Sequence, residues 1–92
     1  MEIERLISAL QELIALLRES RSSDWASKSV QEIMRDLESE IDKAVNLQPI
    51  SKGHLGFLFA PTGAIQETAI DNGWGEEFLR IAEIVDQFTD TE

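Results

Sequence analysis

The fold class depends on residues 54–72, which read HLGFLFAPTGAIQETAIDN, because the chain on either side of them has a plainer helical pattern. Large apolar residues stand at every second position from 55 to 59, which is the alternation of a half-buried strand. Pro61-Thr62-Gly63 then supplies turn residues, so residues 64–70 could return as a second strand. A β-hairpin at 54–70 would make the fold α+β.

A second interpretation of the same segment is helical. Gly56 lies inside the first supposed strand, and Gln66 and Glu67 are poor strand residues. A short helix from about Ala64 to Asp71, ended by Asn72-Gly73, explains the turn residues as well. We therefore favour an all-α fold, a small bundle of four to five helices, and keep the α+β fold as the alternative.

The beginning of the chain is predicted to be an amphipathic helix over about 2–21. Its apolar residues recur at steps of three and four, which places them on one face. They are Ile3, Leu6, Ile7, Leu10, Leu13, Ile14 and Leu17. The spacing also suits a short coiled-coil seam, so the Ile3–Leu17 stripe either packs within the monomer or forms a helical homodimer.

A second helix is expected over about 25–46, after turn-forming residues at 20–24. Ser29 stands three residues before Glu32, which is the spacing of a capping box, so the regular part of the helix is expected to start there. Trp25 to Lys28 would then form a separate turn that leads into it.

The remaining segments are predicted to be a loop and a closing helix. Residues 46–53 lose the helical period and include Pro49 and Gly53, so they are expected to form a loop. A helix over about 74–88 has glutamates in its first turn, where they favour the positive end of the helix dipole. A chain of 92 residues has room for one core, so residues 1–92 form a single domain.

The charge of the chain argues against several classes of function. Eighteen acidic residues against eight basic ones give a net charge of −10. Such a surface repels nucleic-acid phosphates and anionic lipid. The sequence has no cysteine, so neither disulfides nor thiolate chemistry are expected. We see no signal-peptide pattern and no apolar run of membrane-spanning length, and we expect a cytoplasmic protein.

No arrangement of residues predicts catalysis. His54 is the only histidine, and between Gly53 and Leu55 it is interpreted as an ordinary surface or packing residue of a flexible loop. The serines do not stand in a Gly-x-Ser-x-Gly elbow, and no glycine-rich nucleotide loop is present. We expect neither a catalytic site nor a cofactor.

Three carboxylates at four-residue steps line one face of the second helix, namely Glu32, Asp36 and Glu40. Carboxylate metal sites in helix bundles also use Glu-x-x-His motifs, which this sequence lacks. We interpret the face as solvated, with Arg35 and Lys43 compensating part of its charge, and expect no metal site. A metal-dependent enzyme is the weakest of our hypotheses.

The densest charge lies in the last third of the chain, where residues 64–89 contain six carboxylates and one arginine. Such a surface either serves solubility or attracts a basic protein partner. Trp25 and Trp74 each follow a turn, where core packing is favoured and an interface role is the alternative. The candidate partner-binding residues are Glu67, Asp71, Trp74, Glu76, Glu77, Glu32, Asp36 and Glu40.

Residues 58–79, LFAPTGAIQETAIDNGWGEEFL, resemble a signature of small bacterial helical proteins. The matching parts are PTG at 61–63, IQE at 65–67, NGW at 72–74 and EEF at 76–78. Some proteins of this kind resemble immunity proteins encoded beside polymorphic or contact-dependent toxins. Ala64 departs from the pattern, since a serine that could cap the next helix is typical there.

The resemblance, which lies mainly in residues 55–88, implies toxin neutralisation and supplies no catalytic motif. Together with the net charge of −10, it predicts an acidic cytoplasmic protein that binds a basic toxin domain. Its carboxylates would mimic the charge of the toxin's substrate or cover a basic surface beside the toxin's active site. The alternative is a homodimeric adaptor built on the Ile3–Leu17 stripe.

Overall fold

The computed structural model describes residues 2–22, 26, 28–59 and 63–89. Over these residues the chain forms five helices and no strand. They are α1 (Glu2–Arg18), α2 (Val30–Val45), α3 (Lys52–Leu58), α4 (Ala64–Asn72) and α5 (Gly75–Thr89). The prediction of a small all-α bundle is confirmed, and the alternative with a β-hairpin at 54–70 is wrong.

Helix α1 packs against both α2 and α5. Its 17 residues span about 25 Å, most of the 34 Å long axis of the molecule. The apolar face of α1 is buried within the chain, and its fully buried residues are Leu6, Leu10, Leu13 and Leu17. The Ile3–Leu17 stripe therefore packs inside the monomer, so a homodimer formed through it would first have to separate α1 from α2 and α5.

Helix α2 begins at the predicted capping box. The backbone N–H of Glu32 donates to Ser29 Oγ at 3.2 Å, and the backbone N–H of Ser29 donates to Glu32 Oε1 at 3.0 Å. Two N–H groups that have no partner within the helix are thereby satisfied, which sets the first residue of α2 at Val30. Trp25 lies outside the described residues, so its expected packing role stays a prediction.

The end of α2 is a Schellman motif with a leucine in the left-handed position. Gln48 N–H donates to Lys43 O at 2.8 Å, and Leu47 N–H donates to Ala44 O at 3.2 Å. Leu47 has a φ of 57° and is 87% exposed. Glycine is the usual residue at this position, because it has no Cβ to be strained there.

Helix α3 begins at Lys52, inside the segment 46–53 that was expected to be a loop. Leu55 and Leu58 of this helix are buried, as is Phe59 directly after it, and the three stand at the i, i+3 and i+4 positions of one face. The alternation along 55–59 suggested a strand only because apolar residues at 55 and 59 belong to both patterns. Leu58 is the residue that distinguishes them, since it would lie on the opposite face of a strand.

Helix α4 confirms the short helix that was favoured from about Ala64 to Asp71, and its last residue is Asn72. Gly63 caps its beginning without a side-chain hydrogen bond, in keeping with the lack of a capping serine at Ala64. At its other end Gly73 adopts a φ of 81°, and Trp74 N–H donates to Ala69 O at 2.9 Å. A residue with a Cβ would be strained at Gly73, so the Asn-Gly pair ends the helix as predicted.

Helix α5 completes the core by packing against α1, α3 and α4. Phe78, Ile81 and Val85 are buried, and the ring of Phe78 stacks on that of Phe59 with centroids 6.0 Å apart. This stacking joins the residue that follows α3 to the first turn of α5. None of the five described helices combines the length and apolar character needed to cross a bilayer.

Candidate protein-binding surface

The three α2 carboxylates selected from the sequence, Glu32, Asp36 and Glu40, have separate structural roles. Glu32 belongs to the capping box, and hydrogen bonds from the backbone and side chain of Ser29 hold the pKa of this carboxyl below its usual value. Asp36 accepts a hydrogen bond from Lys28 Nζ at 2.5 Å. Glu40 is 1% exposed. The expectation that this acidic face of α2 is solvated is therefore wrong at Glu40, which lies in the interior.

Glu40 is buried without losing its hydrogen bonds. Ser51 N–H donates to Oε1 at 2.9 Å, Lys43 Nζ donates to Oε2 at 3.2 Å, and His54 Nδ1 lies 3.3 Å from Oε2. Burial alone would raise the pKa of Glu40, but these three groups outweigh it and hold the pKa below its usual value. Glu40 thereby joins α2 to the beginning of α3, and it presents no surface to a partner.

His54 is a helical residue of α3, so the expectation that it lies in a flexible loop is wrong. Its ring is one-third exposed, with Nδ1 beside Glu40 and Nε2 3.8 Å from Asp36 Oδ2. In the described part of the chain, neither this cluster nor any other brings three metal-ligating side chains into a geometry that could hold an ion.

Trp74 is a core residue, which is the favoured of its two predicted roles. Its side chain is 6% exposed, and its indole Nε1–H donates to Ser20 Oγ at 2.8 Å. The neighbouring Asn72 accepts a hydrogen bond from Arg21 N–H at 2.9 Å and donates one to Arg21 O at 2.8 Å. The α4–α5 turn is thus held against the end of α1, and the tryptophan has little surface left to act as an interface anchor.

The remaining candidates lie on α4 and the first turn of α5. Glu76 and Glu77 are exposed, Asp71 is exposed, and Glu67 is half-buried. Glu67 and Asp71 are four residues apart and therefore share one side of α4. Of the eight residues selected from the sequence, these four remain as candidates for contact with a partner; Glu76 and Glu77 lie at the α4–α5 turn itself, and Glu67 and Asp71 lie along α4.

A groove of about 660 Å³ lies between α4 and α5 at this turn. It is lined by Gln66, Ile70, Gly73, Gly75, Glu76, Glu77, Phe78 and Leu79. Ile70 is 59% exposed and Leu79 is 61% exposed, although both belong to helices with a buried apolar face. These two aliphatic residues were not selected from the sequence. The only indication of their exposure there is that they fall outside the three- and four-residue spacing of the buried apolar residues.

The charge of the groove has a single sign. Of the described residues that line it, two are carboxylates and none is basic. Arg80 lies beside Glu76 and Glu77, but its guanidinium forms an ion pair with Glu12 of α1, and this pairing raises the pKa of Arg80. Arg80 is therefore bonded to α1 although it also feels the charge of Glu77, and the lining of the groove combines exposed aliphatic surface with negative charge.

A second groove, of about 600 Å³, lies between α1 and α2. It is lined by Gln11, Ile14, Arg18, Glu38, Ile41 and Asp42. Its charges have both signs, and Ile14 is buried beneath it. This groove offers a partner less exposed apolar surface and no uniform field, so the α4–α5 groove is the stronger candidate.

Comparison of the chain with protein-family models, curated proteins and solved structures finds no match. The resemblance of residues 58–79 to immunity proteins therefore remains a prediction.

Proposed function

We propose that this protein binds a basic protein partner through the α4–α5 groove. The observation that carries the proposal is the exposure of Ile70 and Leu79 beside Glu76 and Glu77, with no basic residue among the described lining. The free energy falls when a partner covers exposed aliphatic side chains, because their apolar surface is removed from water. Carboxylates around them favour a cationic partner, accelerate its association and reject anionic competitors.

The finer form of the proposal concerns the identity of the partner. The resemblance in residues 55–88 favours a cognate toxin domain, with this chain as the immunity protein that neutralises it in the bacterial cytoplasm. In this mechanism Glu76 and Glu77 cover a basic surface beside the toxin's active site or take the place of its anionic substrate. No catalytic group is required of this chain, because blocking a surface is sufficient.

The experiment is a pull-down from the lysate of the source cell, at low and moderate salt, with three baits. The first is the wild type, and the second is the double variant Glu76→Lys/Glu77→Lys. The third, Glu4→Lys/Glu38→Lys, changes the net charge equally but at exposed residues of α1 and α2. Matching the change in net charge separates an effect of the groove from an effect of the global field.

We expect the wild type and the Glu4→Lys/Glu38→Lys bait to retain the same basic protein, and the groove variant to lose it. Retention should fall as salt rises, because the exposed charges are screened. Equal capture by the groove variant would contradict the proposed surface. Retention of no basic protein by the wild type would contradict the proposed class of partner.

A further inference from the structure

Helix α5 begins at a glycine that neither its backbone nor its packing requires. Among the described glycines only Gly73 has a positive φ, so Gly75 adopts a conformation open to other residues. A Cβ placed on Gly75 would meet no atom within 4 Å. Glycine in a helix lowers stability relative to alanine, because it loses more backbone freedom on folding. No contact within the described chain explains why glycine stands at position 75.

The position of Gly75 offers an explanation outside the chain. Gly75 lines the α4–α5 groove together with Ile70 and Leu79. A side chain at residue 75 would project into open space beside this lining and would narrow the room left for a bound group. Glycine also allows another chain to approach the backbone closely.

We propose that an aliphatic side chain of the partner packs against Ile70, Leu79 and the backbone of Gly75, a contact surface that we call the aliphatic seat. A lysine or arginine of the partner beside it pairs with Glu76 or Glu77. This inference rests on the proposed function and specifies the chemistry of the bound segment. The aliphatic group covers the two most exposed apolar side chains of the groove. The cation pairs with Glu76 or Glu77, which are the only charged residues of the described lining.

Gly75→Ala distinguishes contact with a partner from a purely structural role of Gly75. Gly75→Ala removes backbone freedom from the unfolded chain and creates no clash, so the melting temperature should stay equal or rise. The added methyl group would occupy the seat of the aliphatic side chain, so binding should weaken. Stability and affinity should therefore change in opposite directions.

The test uses three capped hexapeptides as probes, with sequences Lys-Leu-Lys-Lys-Leu-Lys, Lys-Ser-Lys-Lys-Ser-Lys and Glu-Leu-Glu-Glu-Leu-Glu. Each is titrated into the 92-residue chain while the backbone amides are followed by NMR. The matched control is Gly53→Ala, which changes another first-turn helical glycine with open space around it, but in α3 and outside the groove. Melting temperatures of all variants are recorded alongside.

We expect the lysine–leucine peptide to shift the amides of Ile70, Gly75 and Leu79 in a saturable way. The lysine–serine peptide should bind about tenfold more weakly, the change that corresponds to losing a partly buried leucine. Gly75→Ala should weaken binding of the lysine–leucine peptide about fivefold. This effect is smaller because the added methyl group only narrows the aliphatic seat. Gly53→Ala should leave the affinity unchanged.

The outcomes separate this inference from the proposed function. If both lysine peptides bind the groove equally and Gly75→Ala changes nothing, the aliphatic seat is wrong and the acidic surface stands. If neither lysine peptide shifts the groove amides, the aliphatic seat and the proposed function both fail. If the glutamate–leucine peptide binds as tightly as the lysine–leucine peptide, the pairing of a cation with Glu76 or Glu77 is wrong.

Discussion

The indole Nε1–H of Trp74 donates a hydrogen bond to Ser20 Oγ across 54 residues of sequence, at 2.8 Å. The same hydroxyl donates to Leu16 O at 2.7 Å, so Ser20 serves both as acceptor and as donor. This pair joins the turn between α4 and α5 to the end of α1. Because the groove lies at that turn, the bond contributes to the position of its lining residues.

Ser20→Ala is expected to lower the free energy of unfolding by about 1–3 kcal/mol, because it leaves the buried indole N–H of Trp74 without its acceptor. Urea denaturation measures the change. The control is Ser39→Ala, an exposed serine of α2, which should stay within about 0.5 kcal/mol of the wild type. Equal stability of the two variants would contradict the structural role of the hydrogen bond.

Glu40 should make stability depend on pH in the acidic range. Because the folded state holds the pKa of this carboxyl below its usual value of 4.5, the carboxylate stabilises the fold above that pH. The contribution is lost as the pH falls through the folded-state pKa. Stability of the wild type should therefore decrease below about pH 4.5, and Glu40→Gln should show a weaker decrease.

Chemical denaturation of the wild type and Glu40→Gln between pH 3 and pH 7 gives the comparison. At neutral pH, Glu40→Gln should be less stable by about 1–3 kcal/mol, since Lys43 and Ser51 lose a charged acceptor. The control, Glu38→Gln, replaces an exposed carboxylate of the same helix and should keep the pH dependence of the wild type. Parallel pH profiles for wild type and Glu40→Gln would rule out this role of Glu40.

Leu47→Gly is expected to raise the free energy of unfolding by about 0.5–1 kcal/mol, because it relieves the strain of a Cβ in the left-handed region. The leucine is 87% exposed, so its removal breaks little packing. Leu47→Ala is the control, since it shortens the side chain but keeps the Cβ. Thermal denaturation should show a gain for glycine only, and an equal gain for alanine would trace the effect to the side chain.

Leu13→Ala and Leu79→Ala should separate folding from binding. Leu13 is fully buried in α1, and its truncation should cost about 2–5 kcal/mol of stability. Leu79 is 61% exposed, so the free energy of unfolding of Leu79→Ala should stay within about 0.5 kcal/mol of the wild-type value. The same variant should bind the lysine–leucine peptide more weakly. Calorimetry and peptide titration test both statements; a strongly destabilised Leu79→Ala would place this residue in the core.

Part of the candidate surface was predictable and part was not. Glu76 and Glu77 are evident from the density of charge, and their place in the first turn of α5 follows from the helical pattern. Ile70, Leu79 and Gly75 were missed. Ile70 and Leu79 fall outside the spacing of the buried apolar residues, but spacing within one helix does not show that two side chains of different helices share a groove, and only the packing of α4 against α5 does.

The sequence by itself determined the local features, because each depends on residues close together in the chain. The apolar face of α1, the capping box at Ser29 and Glu32, and the Asn72-Gly73 stop all follow from spacing and backbone preference. The helical type of residues 64–72 was favoured for the same reason, and α4 confirms it.

Only the tertiary structure decided the environment of side chains whose partners are distant in sequence. Glu40 has the same spacing as Asp36 and Glu32, but it is buried because Ser51 and His54 of the next segment supply donors to it. Trp74 is covered because the end of α1 provides an acceptor for its indole. Burial is set by what another helix places opposite a residue, and periodicity within one helix carries no information about that neighbour.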